Sequence, residues 1–361
     1  MILSRDKIGG WGNKFSGKRA KFIARLFNLT YQINEDGFIA YIERVGPSLS
    51  LVSDRKLAYY DASDFTDLEN LINKDLSQDE LLTCRQIKES FMSKAISKYN
   101  SEREFKGTLN CPYVLLIDQV IGDLSVKYGM ADSDSFKWML TKALDDYPNH
   151  LIIIKIHPDI YTRGKRGYLD VFSLEKNPRI QIIANNCHPT RLIREADSVY
   201  TVTSQLGFEA LIWGKKVKCF GMPFYAGWGL TEDMLPAPKR RKNISLEQLF
   251  YAALVKYSIY FHPETGEQTN IEEIIEYIGL QRSMRSRFPE KLYAYGFTSW
   301  KKLILKSFTQ GSDLIFVERL KKVPLNASLL VWGSKECIGL DASVKLIRVE
   351  DGFLRSVGLG G

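Results

Sequence analysis

The chain has 361 residues, 45% of them hydrophobic and 25% charged, with a formal net charge of +8 at pH 7. This length is too great for one small core, so two or three domains are expected. The five cysteines form no Cys-x-x-Cys pair. Their spacing argues against a zinc site and a disulfide framework, and it favours a reducing compartment.

The first residues lack the apolar core of a secretory signal, and no stretch approaches the roughly 18 apolar residues of a membrane span. These features predict a cytoplasmic protein whose contact with a membrane is peripheral. The positive charge suits nucleic acid, anionic lipid or a phosphorylated, acidic substrate. Nucleic acid is not expected as a partner, because the basic residues form short, scattered clusters and no nucleic-acid-binding module is present.

The first part of the chain, residues 1–110, contains both helical and strand patterns. Residues 16–28 place apolar side chains at helical spacing behind Ser16, a candidate cap, and leave a basic outer face. A strand at residues 30–33 stops at Glu35-Asp36-Gly37, where a glycine can turn the chain. The next segments alternate like strands at residues 48–53 and 57–61, and residues 66–100 are mostly helical in pattern.

Residues 111–245 follow a strict β-α-β rhythm. Strand-like runs separated by helical patterns occur at residues 114–117, 151–156, 180–183, 199–202 and 217–220. Such alternation indicates a parallel sheet covered by helices, so this part is predicted to be a Rossmann-like domain. No Gly-x-Gly-x-x-Gly follows a strand, and the usual dinucleotide fingerprint is therefore absent.

The last part of the chain contains a partial internal repeat. Residues 246–289 are predicted to form a helical linker, with helical patterns at 246–260 and 271–280. Beyond it, residues 290–361 include Trp-Gly-x-Lys at 332–335 and Glu-Asp-Gly-Phe at 350–353, in the same order as at 11–14 and 35–38. We therefore expect the chain to stop inside a second copy of its first module, and the first copy to be short at its front.

Polar side chains follow three of the predicted strands at the point where each strand ends. They are Gln119 and Asp123 after the first, Lys155 and His157 after the second, and Thr203, Ser204, Gly207 and Glu209 after the third. In an open α/β sheet a ligand binds at the carboxyl ends of the strands. We interpret these residues as one site.

Most of these side chains also have an ordinary structural interpretation. Lys155 and His157 could neutralise a phosphate, although a lone histidine is more often structural. Thr203 and Ser204 could hold a phosphate at a helix N-terminus or only cap that helix. Glu209 could accept hydrogen bonds from a ribose or face solvent.

Carboxylates at separate strand ends suit glycosyl transfer. Asp123 could be an ordinary turn aspartate, and Glu35-Asp36 could be a surface turn. The latter pair recurs as Glu350-Asp351, however, which argues for a constrained role. In glycosyl transfer one carboxylate handles the acceptor proton while another faces the anomeric carbon.

Taken together, these motifs resemble the retaining β-Kdo transferases of bacterial capsule polysaccharide biosynthesis, the KpsC type. The matching motifs include Glu-Asp-Gly-Phe at 35–38, Gln-Val-Ile-Gly-Asp-Leu-Ser at 119–125, Lys-Ile-His-Pro-Asp at 155–159, Thr-Ser-Gln-Leu-Gly-Phe-Glu-Ala-Leu at 203–211 and Pro-Phe-Tyr-Ala-Gly-Trp-Gly-Leu-Thr at 223–231. With Ser-Leu-Ser-Leu-Val at 48–52 and Tyr-Tyr-Asp at 59–61, the resemblance covers nearly the whole chain.

The resemblance implies an α/β, GT-B-like fold with two Rossmann-like domains and a nucleotide in the cleft. Residues 1–110 would form the acceptor side and residues 111–245 the CMP-sugar side. The implied reaction moves Kdo from CMP-Kdo to a β-linked oligo-Kdo on a phosphatidylglycerol-type glycolipid, peripherally at the inner membrane. No metal and no cofactor are expected.

The resemblance also implies a role for each site residue. Asp123 would be the nucleophile that forms a covalent Kdo adduct, and Glu35, with Asp36 beside it, would be the acid or base for the acceptor hydroxyl. The contacts to phosphate, nucleotide or donor would come from Lys155, His157, Thr203, Ser204, Gly207, Glu209 and Gln119.

One departure and two rival interpretations accompany the resemblance. The family's arginine after the first Glu-Asp-Gly-Phe is missing, and Arg44 is a possible substitute. A polyol-phosphate transferase that releases CMP from a CDP-linked donor would need similar phosphate contacts. A non-catalytic scaffold fragment of the capsule assembly complex is the third interpretation.

Overall fold

The computed structural model describes residues 2–3, 6–43, 46–109, 112–157 and 159–352. Arg44, Pro158 and the phenylalanine of the second Glu-Asp-Gly-Phe motif, Phe353, lie outside these ranges. The chain divides into two compact units, Met1–Gly279 and Leu280–Gly361. No helix among the described residues combines the length and the apolar composition that crossing a bilayer requires.

The first unit begins with a short mixed region of strands and helices. Its elements are β1 (Ile2–Leu3), β2 (Lys7–Trp11), α1 (Phe15–Leu26), β3 (Thr30–Asp36), β4 (Ser50–Asp54), α2 (Asp67–Ile72) and α3 (Gln78–Ser93). The cap of α1 is Lys14, not the predicted Ser16. Strand β3 runs through Glu35 and Asp36, so the turn begins later than predicted, and residues 57–61 form turns instead of a strand.

The central region has the predicted β-α-β rhythm. Its elements are β5 (Tyr113–Ile117), α4 (Leu124–Tyr128), α5 (Ser133–Asp146), β6 (Leu151–Lys155), α6 (Asp159–Thr162), α7 (Val171–Leu174), β7 (Ile180–Ile183), α8 (Thr190–Glu195), β8 (Ser198–Thr201), α9 (Gln205–Ile212), β9 (Lys216–Cys219) and β10 (Glu232–Asp233). These strands form one sheet in the order β10-β9-β8-β5-β6-β7, and every neighbouring pair is parallel.

The remaining elements complete the first unit and form the second. They are α10 (Leu246–Phe250), a π-helical segment (Tyr251–Tyr257), β11 (Ser258–Phe261), β12 (Gln268–Thr269), α11 (Ile271–Ser286), β13 (Lys291–Tyr295), α12 (Ser299–Phe308), β14 (Asp313–Val317), a 3₁₀ turn (Leu320–Lys322), β15 (Ser328–Trp332) and β16 (Lys345–Val349). The second unit's sheet is parallel, in the order β14-β13-β15-β16.

The structure differs from the prediction at residues 246–289, which the helical spacing assigns to a linker. Strand β11 pairs antiparallel with β4, with Ser258 opposite Val52 and Tyr260 opposite Ser50, and β12 extends the same sheet. The first sheet therefore has the order β1-β2-β3-β4-β11-β12 and is mixed, with β2 and β3 its parallel pair. The alternation of buried and half-buried residues in Ser258–Phe261 is a strand pattern that follows directly on a helical one.

One apolar core holds the two sheets of the first unit together. Strand β5 is buried along its whole length. Its Val114 and Leu116 belong to a cluster on the α5 side of the sheet. Its Leu115 and Ile117 belong to a second cluster that also contains Phe38 and Val52 of the first sheet region. Since each such side chain stabilises the fold by about 1.5–3 kcal/mol on burial, the shared cluster fixes the cleft between the sheets.

The repeated motifs have the same local structure in both units. The Gly12 amide donates to the Asn34 carbonyl at 2.9 Å, and the Gly333 amide donates to the Val349 carbonyl at 2.9 Å. Both glycines have positive φ, and a Cβ on Gly12 or Gly333 would press on the carboxylate of Glu35 or Glu350. The close contact explains why Trp-Gly and Glu-Asp-Gly-Phe recur as a pair.

Candidate active site

A cavity of about 430 Å³ lies in the first unit at the carboxyl ends of β5, β6 and β8. Its opposite wall comes from the end of β3 and from residues 59–60 and 97–102. The predicted site residues that line it are Glu35, Gln119, Asp123, Lys155, His157, Thr203, Ser204 and Glu209. Asp36 and Gly207 are not among the described residues that line this cavity.

Asp123 is exposed at the mouth of the cavity and caps helix α4. Its Oδ1 accepts hydrogen bonds from the Ser125 amide and the Ser125 hydroxyl, both at 2.9 Å. Its Oδ2 accepts a longer bond of 3.3 Å from the Gln119 amide group. The cap therefore holds the carboxylate in one orientation and leaves Oδ2 as the less engaged oxygen.

Gln119 forms hydrogen bonds between two strand ends, and its predicted contact with the donor stays a prediction. Its Nε2 donates to Ser125 Oγ at 3.2 Å and to Thr203 Oγ1 at 3.1 Å, and its Oε1 accepts from the Thr203 amide at 3.0 Å. Both ends of this buried amide are therefore satisfied within the protein. Gln119 and Thr203 join the end of β5 to the end of β8 and so position Asp123.

Lys155 and His157 are brought to the same wall by the end of β6. The buried Lys155 ammonium donates to the backbone carbonyl of Asn185 at 2.9 Å. The Asp159 amide donates to His157 Nδ1 at 3.1 Å. Because Nδ1 accepts, the neutral ring carries its proton on Nε2 and can donate it to a ligand. The pair thus offers two donors of the kind that phosphate sites use.

Ser204 caps helix α9, and its Oγ accepts from the Leu206 amide at 3.3 Å. The structural interpretation of this serine is therefore correct, and its hydroxyl also lines the cavity. A hydroxyl at the N-terminus of an eight-residue helix can still donate its proton to an anion.

Gly207 has a packing role, and its predicted contact with the donor stays a prediction. A Cβ at this position would lie 2.2 Å from the hydroxyl oxygen of Tyr225 and 2.8 Å from Cγ2 of Thr201. The glycine therefore allows α9 to approach β8 and the buried Tyr225. The sequence pattern could not separate this packing role from a ligand role, since both require a residue without a side chain.

Gly207→Ala is expected to destabilise the first unit by about 1–3 kcal/mol, because the added methyl group overpacks a filled core. Gly279→Ala is the matched helical control, since the three atoms nearest its Cβ would all belong to the flexible Lys94 side chain, which can move aside. There the higher helix propensity of alanine should leave stability equal or slightly higher. Chemical denaturation measures both variants, and equal stabilities would contradict the packing role.

Glu209 is buried, with an exposed fraction of 2%. It forms hydrogen bonds with residues 97 and 98, which belong to the opposite wall of the cavity. Its Oε2 accepts from the Ser97 hydroxyl at 2.7 Å and its Oε1 from the Lys98 amide at 3.2 Å. Burial raises the pKa of Glu209 to about 7, although these hydrogen bonds oppose the shift. The carboxylate therefore joins the two halves of the cleft. The solvent-facing alternative is wrong, because the side chain is buried. The predicted contact with a ribose stays a prediction.

The raised pKa of Glu209 predicts a pH-dependent stability. The folded chain binds this proton more tightly than the unfolded chain, so the free energy of unfolding should fall as pH rises from about 4.3 toward 7. Glu209→Gln removes the titration, and its stability relative to the wild type should rise by about 3 kcal/mol across this range. Denaturant titrations at pH 5 and pH 8 measure the difference. A pH-independent difference would contradict the assignment.

Glu35 lies near the end of β3 and is half-buried in the wall opposite Asp123. The Tyr60 hydroxyl donates to its Oε1 at 2.8 Å. Burial raises the pKa of Glu35, while the Tyr60 hydrogen bond and the charges of Lys14 and Lys98 oppose the shift. A carboxyl group with a raised pKa can exchange a proton nearer to neutral pH.

Asp36 points to the other face of the strand, because successive side chains alternate. Its Oδ1 accepts from the Tyr41 hydroxyl at 2.8 Å. Burial and this hydrogen bond raise the pKa of Tyr41 to about 12. The contact with Tyr41 supports a structural role for Asp36, separate from the catalytic role that the resemblance implies.

Lys98 is a site residue that the sequence did not reveal. Its backbone amide donates to Glu209, and its carbonyl accepts from the Ala40 and Tyr41 amides at 3.1 Å each. Burial lowers the pKa of Lys98, but the hydroxyl groups of Tyr59 and Tyr99 and the carboxylates of Asp36 and Asp123 outweigh it and raise the pKa. The ammonium therefore stays charged in the cavity. A lysine within a predicted helical stretch carries no pattern that marks this position.

Within the described ranges, no three His, Cys, Asp or Glu side chains form a group that could hold a metal ion. The expectation that the chemistry needs no metal and no cofactor stays a prediction. The site as a whole brings Glu35 of the first sheet and Asp123 beside the second together with the ammonium groups of Lys98 and Lys155 and the imidazole of His157. Such a set can hold an anionic leaving group beside a nucleophile and a base.

The solved structures that are similar to this chain include two transferases. Both are of KpsC from Thermosulfurimonas dismutans. The one described as a beta Kdo 2,4 transferase has a TM-score of 0.70 and 37% identity, over 75% of this chain and 86% of that one. The one described as a beta Kdo 2,7 transferase has a TM-score of 0.60 and 28% identity, over 76% of this chain and 85% of that one. The predicted α/β, GT-B-like fold class is confirmed.

Relatives known by sequence agree with the structural likeness. Capsule polysaccharide modification protein LipA of Neisseria meningitidis serogroup A is 35% identical over 98% of this chain and 54% of its own length. Lipopolysaccharide-processing protein LpsZ of Rhizobium meliloti is 33% identical over 69% of this chain and 58% of its own length. The chain thus spans a little over half the length of the curated relatives it matches.

The match to a family model extends over both sheets of the first unit. Residues 6–260 match the model of the capsule polysaccharide biosynthesis proteins, which includes every residue that lines the cavity. The matched segment begins just before β2 and ends within β11, the strand that returns to the first sheet. The chain therefore belongs to the capsule polysaccharide biosynthesis protein family.

Proposed function

We propose that this chain is a retaining glycosyltransferase that moves Kdo from CMP-Kdo to a β-linked oligo-Kdo glycolipid in capsule polysaccharide synthesis. One observation carries the proposal. Glu35 and Asp123, from the two halves of one cleft, line a single cavity that Lys155 and His157 also line. The likeness to two Kdo transferases supports the donor sugar.

In the first displacement, Oδ2 of Asp123 attacks the anomeric carbon of the donor. The bond from that carbon to the phosphate oxygen breaks, and CMP leaves with the electron pair. His157 and Lys155 stabilise the negative charge on the departing phosphate, and Ser204 adds a hydroxyl donor at the start of α9. The product of this step is a glycosyl ester on Asp123.

In the second displacement, an acceptor hydroxyl attacks the same carbon and the ester bond to Asp123 breaks. The hydroxyl proton passes to the carboxylate of Glu35, which Tyr60 holds in position. Two inversions at one carbon leave the configuration unchanged. Burial of Glu35 supports this role, since a raised pKa makes its carboxylate a stronger base.

Lys98 is proposed to recognise the acid group of the sugar. Kdo carries a carboxylate on its anomeric carbon, and a charged ammonium in the same cavity as Asp123 would balance that negative charge. Glu209 accepts hydrogen bonds from the Ser97 hydroxyl and the Lys98 amide, and these bonds fix the backbone that carries the ammonium. Glu209, Gln119, Thr203 and Gly207 thus act through other residues in this proposal, and the direct donor contacts come from Lys98, Lys155, His157 and Ser204.

Lys98→Met is expected to lower kcat/KM for CMP-Kdo by about 10²-fold, because loss of a charge-assisted contact costs about 1.5–3 kcal/mol. The side chain of methionine keeps the length and apolar contacts of lysine. Lys127→Met is the control, since Lys127 is exposed and does not line the cavity. Equal activity of the two variants would contradict the contact between Lys98 and the sugar acid.

The proposal places the protein in the cytoplasm, at the inner membrane, with a phosphatidylglycerol-type glycolipid as acceptor. The test is CMP release from CMP-Kdo in the presence of a short, soluble oligo-Kdo acceptor. We expect release that depends on the acceptor and a product with retained configuration. Release from CDP-glycerol instead would favour the polyol-phosphate transferase, and no release from either donor would favour a non-catalytic scaffold.

A further inference from the structure

Helix α1 packs on its sheet through small residues. Gly17, Ala20 and Ala24 are buried. A Cβ on Gly10 of β2 would lie 2.6 Å from Gly17 Cα and 2.9 Å from Ala20 Cβ, so there is no room for larger side chains on this face. The large apolar side chains of this segment lie in solvent, with exposed fractions of 75% for Phe15, 68% for Phe22, 65% for Leu26 and 65% for Phe27.

The exposed apolar side chains form a stripe. At 3.6 residues per turn, Phe15, Phe22 and Leu26 fall within about 40° of one another around the helix axis, and Ala24 lies opposite them. The stripe is therefore the outermost line of the helix. Single exposed apolar residues are normal on protein surfaces, but a continuous line of this size marks an interaction surface.

The same surface is positively charged without compensation. Between Asp6 and Glu35 the sequence has six Lys and Arg residues and no Asp or Glu. Those beside the stripe are exposed, and the Arg19 guanidinium lies 5.6 Å from the ring centre of Phe15. No ion pair with an acidic residue neutralises Lys18, Lys21 or Arg25 within the described part of the chain.

We propose that α1 docks this protein on an anionic lipid bilayer. A helix with a stripe of large apolar side chains and with cations beside it lies in the plane of a bilayer interface. The apolar groups enter the acyl boundary, and the cations contact lipid phosphates. A soluble acidic partner would form ion pairs with the cations but would leave the apolar stripe without a binding partner. The combination of both features favours the lipid surface.

The position of α1 ties this surface to the cavity. The helix begins directly after Lys14, which lines the cavity, and a Cβ on Gly17 would lie 1.9 Å from the Gly12 carbonyl oxygen, beside Glu35. A bilayer bound by α1 therefore lies on the Glu35 side of the cleft. If the proposed function holds, on which this consequence rests, a lipid-linked acceptor approaches the cleft from the side that carries Glu35.

Vesicle co-sedimentation of the full chain tests the surface. The vesicles are phosphatidylcholine alone or equal parts phosphatidylcholine and phosphatidylglycerol. One variant removes the apolar stripe (Phe15→Ser, Phe22→Ser, Leu26→Ser). Another reverses the charge beside it (Lys18→Glu, Lys21→Glu, Arg25→Glu). The matched controls change exposed residues elsewhere in the first unit, namely Phe172→Ser and the triple variant Lys176→Glu, Lys239→Glu, Lys242→Glu.

We expect the parent chain to bind the anionic vesicles at least about tenfold more tightly than the neutral ones. Both α1 variants should lose at least about tenfold in affinity, with unchanged melting temperatures, while the controls bind like the parent. Absent binding, equal binding to both vesicles, or equal losses in the controls would overturn the proposal. So would a loss confined to the charge variant, which would show that the apolar stripe does not enter the bilayer.

The surface and the proposed function can fail separately. Transfer to a short, soluble acceptor does not need a bilayer, so the α1 variants should retain the parent's activity in that assay. If the chain binds vesicles but has no transferase activity, the lipid-binding role of α1 is supported and the proposed function is contradicted. If the chain is active but does not bind vesicles, the proposed function is supported and the lipid-binding role is contradicted.

Discussion

Asp123→Asn is expected to lower kcat by at least about 10⁴-fold, since the amide cannot act as the nucleophile of the first displacement. Asparagine caps a helix as well as aspartate does, so α4 and the contacts to Ser125 should survive. The melting temperature should therefore stay close to that of the wild type. Initial rates of CMP release and a thermal melt measure the two effects.

Asp123→Ala separates the chemical role of this residue from its structural role. Alanine removes the cap as well as the nucleophile, so this variant should lose about 1 kcal/mol of stability in addition to activity. Activity in Asp123→Asn above about one tenth of the wild type would contradict the nucleophile assignment. Equal loss of stability in both variants would show that the cap is not the structural contact that matters.

Glu35→Gln is expected to lower kcat/KM by about 10²–10⁴-fold, the usual contribution of general acid–base catalysis. Glutamine still offers an oxygen to the Tyr60 hydroxyl, so the fold of the wall should persist. Asp36→Asn is the matched control, because Asp36 contacts Tyr41 and does not line the cavity. We expect the control to stay within about threefold of the wild type.

The pH dependence gives Glu35 a second readout. A base must be ionised to accept the acceptor proton, so wild-type activity should fall as pH decreases through the raised pKa of Glu35. Glu35→Gln should retain a flat residual rate over the same range. If Asp36→Asn flattens the profile and Glu35→Gln does not, the two carboxylates have been assigned in the wrong order.

Much of the central sheet could be predicted because its pattern is local. The run Tyr113–Ile117 is buried on both faces, as a central parallel strand must be, and the polar residues after it do reach the cavity. The same reasoning placed Lys155 and Ser204 correctly, since the carboxyl ends of parallel strands meet at one edge.

The rest of the site depends on contacts between distant parts of the chain. Strand β11 joins β4 across some two hundred residues, and no local pattern specifies that pairing. Lys98 enters the cavity because Glu209 holds its backbone, a contact between residues 111 apart. A motif indicates that a residue type is required at positions 119 and 207, but it does not show which neighbour requires it. The structure adds the neighbours, Thr203 for Gln119 and Tyr225 for Gly207.

The covalent adduct is the central claim, and intact-mass spectrometry tests it most directly. The chain is mixed with CMP-Kdo in the absence of acceptor, and the mass is recorded within the first turnover. We predict a mass increase of one Kdo in the wild type, located on Asp123 by peptide mapping and absent from Asp123→Asn. An adduct that persists in Asp123→Asn, or no adduct in material that turns over when acceptor is added, would contradict the account.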